Sequence, residues 1–137
     1  MERFLGKYEP YLYAILRIIA GFLLVSHGSQ KMLGFPAPKQ AMALNGMVAV
    51  AGVIELIGGL MILLGLFAGI AAFIASGMLA VAYFMVHAPQ GFFPILNGGE
   101  LAVIYCFVLL YIASRGSGTL SLDSLMNCAK SRTVDGT

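Results

Sequence analysis

The stretch MVAVAGVIELIGGLMILLGLF, residues 47–67, carries one ionisable side chain, Glu55, in an otherwise apolar run. About 20 residues at 1.5 Å rise cross the roughly 30 Å hydrocarbon layer of a bilayer, so the run predicts a transmembrane helix. A carboxylate at that depth costs about 2.5–3.5 kcal/mol to insert, and it therefore needs a partner. Gly52, Gly58 and Gly59 stand three or four residues from Glu55 and share its face, where a neighbouring backbone can come close. Glu55 is expected to point into a helical bundle and away from lipid.

Composition agrees with that reading. The 137 residues are 60% hydrophobic and 10% charged, with a mean hydropathy of +0.92, too apolar for a soluble domain and too short for several membrane domains. A net charge of +2 without a basic stripe excludes nucleic acid as an expected partner. Cys106 sits in an apolar run and Cys128 in a polar tail, and neither a CxxC nor a Cys/His metal spacing occurs, so no metal site is expected. Arg17 interrupts the first apolar run and no small-residue cleavage site follows it, which favours a retained helix over a signal peptide.

The fold expected is all-α: an integral membrane, antiparallel four-helix bundle with helices over about 10–31, 47–66, 69–87 and 98–115. Pro10 suits the first turn of helix 1, in which Gly21, Gly28 and Lys31 fall within about 40° of Arg17 and His27 lies on the flank. Two prolines break the chain between residues 33 and 46, where residues 40–44 could form a short interfacial turn. The corner at 65–69 is tight, so helices 2 and 3 are expected to be antiparallel neighbours. Gly69, Ser76, Ala80 and His87 make a small-residue stripe on helix 3. Helix 4 has only 14 purely apolar residues, about 21 Å, and is expected to begin near Gly98 with Glu100 at the hydrocarbon edge. Residues 116–137 read as a polar tail that touches the surface through Leu120, Leu122 and Leu125, its end disordered.

Four spans put both termini and the 65–69 corner on one side. Residues 1–9, that corner and the tail carry Arg3, Lys7, Arg115, Lys130 and Arg132 against Lys31 and Lys39 opposite, which makes the termini cytoplasmic. His27, Lys31, His87, Asn97 and Glu100 then gather at the outer end, with Glu55 about 12 Å beneath. The sequence thus predicts an outward-opening polar pocket floored by an Arg17/Glu55 ion pair with a role in proton transfer. Each residue also has a structural reading. The ion pair could fix helix register, the histidines could be interfacial helix ends, Lys31 a snorkelling anchor, and Asn97 with Glu100 a helix-capping box. Tyr83, Tyr105 and Tyr111 read as core or interface aromatics, although an aromatic wall also suits a planar ligand.

Arg17, His27-Gly28 with Lys31, Glu55 with Gly58-Gly59, His87, Asn97 with Glu100, and Gly116 and Gly118 before Ser121-Leu122-Asp123 together resemble the DoxX family. The likeness to these small four-helix bacterial membrane proteins covers about residues 11–123. It implies the bacterial cytoplasmic membrane and a link to quinone-dependent sulfur oxidation or other membrane redox complexes, and it supports the same polar set with Asp123, without assigning a catalytic step.

The leading expectation is a small subunit of a redox complex that binds quinone or quinol, with the histidines at the head group and Glu55 transferring protons. Its electrons would come from a redox protein partner; a homo-oligomer stays open. The alternative is a non-catalytic partner or assembly subunit, or a small-molecule-binding membrane protein. Haem ligation by His27 and His87 is a weaker reading. A transporter lacks the expected repeat and broken helix, and a disulfide oxidoreductase lacks a close cysteine pair.

Overall fold

A computed structural model describes residues 2–36 and 46–134, and all regular structure in them is helical. A helical turn at Glu2–Leu5 and a tighter one at Gly6–Tyr8 lead into α1, Glu9–Leu33. Then come α2 (Gly46–Leu64), α3 (Ala68–Gln90), α4 (Glu100–Arg115) and α5 (Leu122–Val134). By length and composition, three helices can cross a membrane: 3–33 through α1, then α2 and α3. The fourth, α4, has 16 residues, about 24 Å.

Small residues decide where the helices touch. A Cβ on Gly21 would stand 2.5 Å from Leu63 N and 2.9 Å from Gly59 O, and one on Gly28 would stand 2.8 Å from Leu56 Cα. Gly59 faces Val25 in return, and Gly52 faces Met32 and Lys31. Numbering therefore falls along α2 as it rises along α1. The same holds for α3 and α4: Gly69 lies against Ala113 O, while Ser76 Oγ donates to Cys106 O at 2.8 Å. Small residues such as Ala20, Ala71, Ala72 and Ala75 share the core with Leu24, Ile62, Leu109 and Ile112, while Phe22, Phe73, Phe84 and Phe107 are exposed. Small residues inside and large apolar ones outside is the pattern of helices packed in lipid, where close van der Waals contact replaces the hydrophobic effect.

The 65–69 corner forms as the sequence suggests. Gly65, at φ 69°, ends α2 with its N–H donating to Ile62 O and that of Leu66 to Met61 O, the Schellman closure. A Cβ there would also run into Ser121, so glycine is required twice over.

Three expectations change. Helix 4 begins at Glu100, not near Gly98, and its N-cap is Gly99. The capping box expected of Asn97 and Glu100 is absent, because the Asn97 side chain turns back onto Gly91 O and Gly99 N–H. The polar tail, for which the sequence suggests surface contact and no helix, contains α5, capped by Ser121: its Oγ accepts from Ser124 N–H at 3.1 Å. The expected turn at residues 40–44, Lys39 and the last three residues lie outside the described residues.

Backbone contact at Gly28 makes a direct expectation. Gly28→Ala should lower stability in detergent by about 1–3 kcal/mol through overpacking against Leu56. Gly77→Ala, where a Cβ meets nothing within 4 Å, should lower nothing. Thermal unfolding of the two variants checks the difference.

Candidate functional site

The register between α1 and α2 decides which charges meet. Gly28 lies level with Glu55 and Leu56, so Lys31, one turn further on, reaches the carboxylate: Nζ donates to Glu55 Oε1 at 2.6 Å. Arg17, eleven residues below Gly28, sits about 16 Å lower, beyond the reach of its side chain. The expected Arg17/Glu55 pair is therefore corrected to Lys31/Glu55.

Glu55 lies in a widened π turn, Ile54–Gly58, within α2. That turn lets Glu55 address α1 while Gly58 faces Ala71 O of α3. Such single widened turns recur at functional sites. The Glu55 side chain is 4% exposed and that of Lys31 30%, so the pair is reached from the lysine side. Glu55 Oε2 is buried and without a hydrogen-bond partner among the described residues. An ionised oxygen left in this state costs more than about 1–3 kcal/mol unless a donor arrives. Lys31, with three N–H donors, uses one on Glu55.

The other members of the expected set stand apart. His27 is exposed and meets Tyr105 of α4 edge-on, with ring centroids 6.2 Å apart. His87 ends a second π turn, Tyr83–His87, stacks on Tyr83, and places Nδ1 3.0 Å from Asn97 O. Asn97 is buried, with Nδ2 donating to Gly91 O at 2.8 Å and Oδ1 accepting from Gly99 N–H at 2.8 Å. Glu100 is exposed and makes no ion pair among the described residues. So Lys31 joins Glu55 and His87 joins Asn97, while His27 and Glu100 join neither. Two open cavities, of about 540 and 560 Å³, lie elsewhere. One runs between Leu5 and Leu16 beside Tyr111, and the other between Gly69, Phe73 and Leu110. Neither is lined by His27, Lys31, Glu55, His87, Asn97 or Glu100.

Arg17 serves the opposite end of the fold. Its guanidinium is fully buried and donates to Ile62 O at 2.6 Å, Leu63 O at 3.0 Å, Thr119 O at 3.5 Å and Leu120 O at 2.7 Å. It thereby binds the last carbonyls of α2, where a cation also suits the helix dipole, to the segment that follows α4. Asp123 completes the closure: Oδ2 accepts from Phe67 N–H at 2.9 Å and from Ser117 Oγ at 2.5 Å, and Ser117 Oγ accepts from Ala68 N–H. Two amides at the start of α3, which no helix carbonyl can satisfy, find tail side chains instead. Tyr13 adds a hydrogen bond from its hydroxyl to Gly116 O. Ser117 escapes the sequence reading, and Ser121, which enters it only through the family resemblance, has no capping role there, although a serine just before an amphipathic run is a helix-start signal.

A model described as DoxX matches residues 12–88. One relative, an uncharacterized protein of Haemophilus influenzae, is 45% identical over 128 residues, covering 88% of this chain and 94% of its own. A second uncharacterized protein of the same organism is 33% identical over 72 residues, 53% of this chain and 48% of its own. No solved structure matches.

Asp123→Ala should free the tail at a cost of about 1 kcal/mol, typical of a lost helix cap. Tryptic cleavage after Arg115 should quicken while α1 to α3 stay intact; cleavage at the wild-type rate would contradict the closure.

Proposed function

The chain belongs to the DoxX family, and from that premise we propose that it is a small binding subunit of a quinone- or quinol-linked membrane redox complex. In this reading α1 to α4 are four antiparallel spans of the bacterial inner membrane. Both termini lie in the cytoplasm, beside Arg3, Lys7 and Arg115.

One observation carries the reading: within an apolar helical layer, Glu55 holds Lys31 by one oxygen and leaves the other without a donor among the described residues. A quinol hydroxyl can donate to Glu55 Oε2, and a quinone carbonyl can accept from a second N–H of Lys31. The pair therefore has a group for each redox state of such a head. The half-exposed lysine is the side from which a lipid-soluble molecule would enter. Proton uptake at Glu55 would follow release of a quinol proton. His27 lies one turn from Lys31 and serves the head group in this reading, whereas His87, Asn97 and Arg17 position the fold. A redox protein partner would carry the electrons.

A second reading, a non-catalytic partner or assembly subunit, is favoured by how few polar groups are uncommitted. Arg17, Asn97 and Asp123 all bond within the chain.

Purification in mild detergent, with extraction of bound lipid and identification of co-purifying proteins, separates the two. The wild type should retain quinone, and Glu55→Gln and Lys31→Met should each retain about tenfold less or lower, the loss expected for one charge-assisted hydrogen bond. A stoichiometric protein partner without quinone would favour the second reading. A protein carrying neither would contradict both.

A further inference from the structure

The segment between α3 and α4 exposes four large apolar side chains in six residues. Phe92 is 86%, Phe93 61%, Ile95 73% and Leu96 81% exposed. No charged residue lies between His87 and Glu100. The segment is nevertheless built and held. Leu96 and Asn97 N–H both donate to Phe93 O, Gly99 N–H donates to Pro94 O at 3.1 Å, and Asn97 ties Gly91 O to Gly99 N–H through its side chain. His87 fastens the far end at Asn97 O. Asn97, the most buried polar group here, thus holds together a turn whose outer surface is apolar.

The length of α4 indicates what covers that surface. Sixteen residues rise about 24 Å, some 6 Å short of the hydrocarbon layer. The lower end of α4 is fixed, because Arg115 pairs with Glu9 and Tyr13 bonds to Gly116 O. The shortfall therefore falls at the upper end, where residues 91–96 sit. Backbone in lipid must satisfy its own polar groups, and this turn does so for the N–H groups of Gly91, Leu96, Asn97 and Gly99, which sets it at the edge of the hydrocarbon and not in its middle. Glu100 at its base bounds the depth, since a carboxylate there must still reach the head groups.

We propose that residues 91–96 form an apolar plug inserted into the outermost part of the bilayer, completing the span that α4 leaves short. The plug rests on the four-span reading. Its partner is the lipid acyl region, not a protein. Phe92 and Phe93, packed edge to face, and Leu96 are the inserted groups.

The chain has no tryptophan, so one introduced residue reports depth without background. Phe93→Trp, Leu96→Trp and, in mid-α4, Phe107→Trp are reconstituted singly in phosphatidylcholine vesicles. The lipid is brominated near either the carbonyl or the methyl end of its chains. Phe93→Trp and Leu96→Trp should show blue-shifted emission and lose most of it to bromine near the carbonyl end, less to bromine near the methyl end, and little to aqueous iodide. Phe107→Trp should respond most to bromine near the methyl end. Quenching of both loop variants by iodide alone, with Phe107→Trp still quenched by lipid, would overturn the plug and leave the four spans standing. Iodide quenching of all three would overturn both.

Discussion

The contact between α1 and α2 across Gly21, Gly28 and Gly59 is the constraint on which the arrangement of charge depends. Three positions without a Cβ let the backbones meet so closely that any other residue would strike main-chain atoms. Lipid supplies no hydrophobic force to press helices together, so dispersion contact at such places sets how they pair. A slip of one turn would put side chains where only glycine fits. Because the register is fixed in this way, Lys31 comes to Glu55, and Arg17 comes to the carbonyls that close α2.

The two ends of the structure then use polar chemistry in different ways. At the end that holds the termini, most polar groups bond within the chain: Arg17 puts its two terminal nitrogens on four carbonyls, although its Nε has no partner among the described residues, Asp123 and Ser117 sit on the first amides of α3, and Ser121 on the start of α5. This end is structural, and the tail is part of it. Toward the other end, Asn97 and His87 secure the connection from α3 to α4, but Glu55 keeps an oxygen in the interior without a donor among the described residues. Glu55 differs from Arg17, which holds four carbonyls, in having one partner among the described residues, Lys31, that is itself partly exposed. A group held at such a cost is the reason to place binding at the Lys31–Glu55 pair.

Much of the architecture is legible in the sequence because apolar runs and glycine punctuation are local signals. The run around Glu55, the corner at Gly65 and the small-residue faces all appear where periodicity puts them. The partner of Glu55 does not, because the angle of a residue around its own helix says nothing about its height against a neighbour. Depth along the chain puts Lys31 and Glu55 toward the same end, but only the register between α1 and α2 makes Lys31, and not Arg17, the partner. The spacing of seven between Gly21 and Gly28, and again between Gly52 and Gly59, does encode the register once the two helices are opposed. The tail was opaque for a different reason. Gly116, Gly118 and the serines read only as part of a polar tail when taken alone, and the amides of α3 and carbonyls of α2 that they and their neighbours satisfy give them work. Asn97 likewise looks like a helix cap until the chain before it folds back to Gly91.

The central claim, that Glu55 is coupled to Lys31 and not to Arg17, is tested most directly by two double-mutant cycles read by unfolding in detergent. Combining Glu55→Gln with Lys31→Gln should give a coupling energy of about 1 kcal/mol or more, whereas combining it with Arg17→Lys should be additive to within about 0.5 kcal/mol. Additivity with Lys31 and coupling with Arg17 would contradict the register and the site built on it.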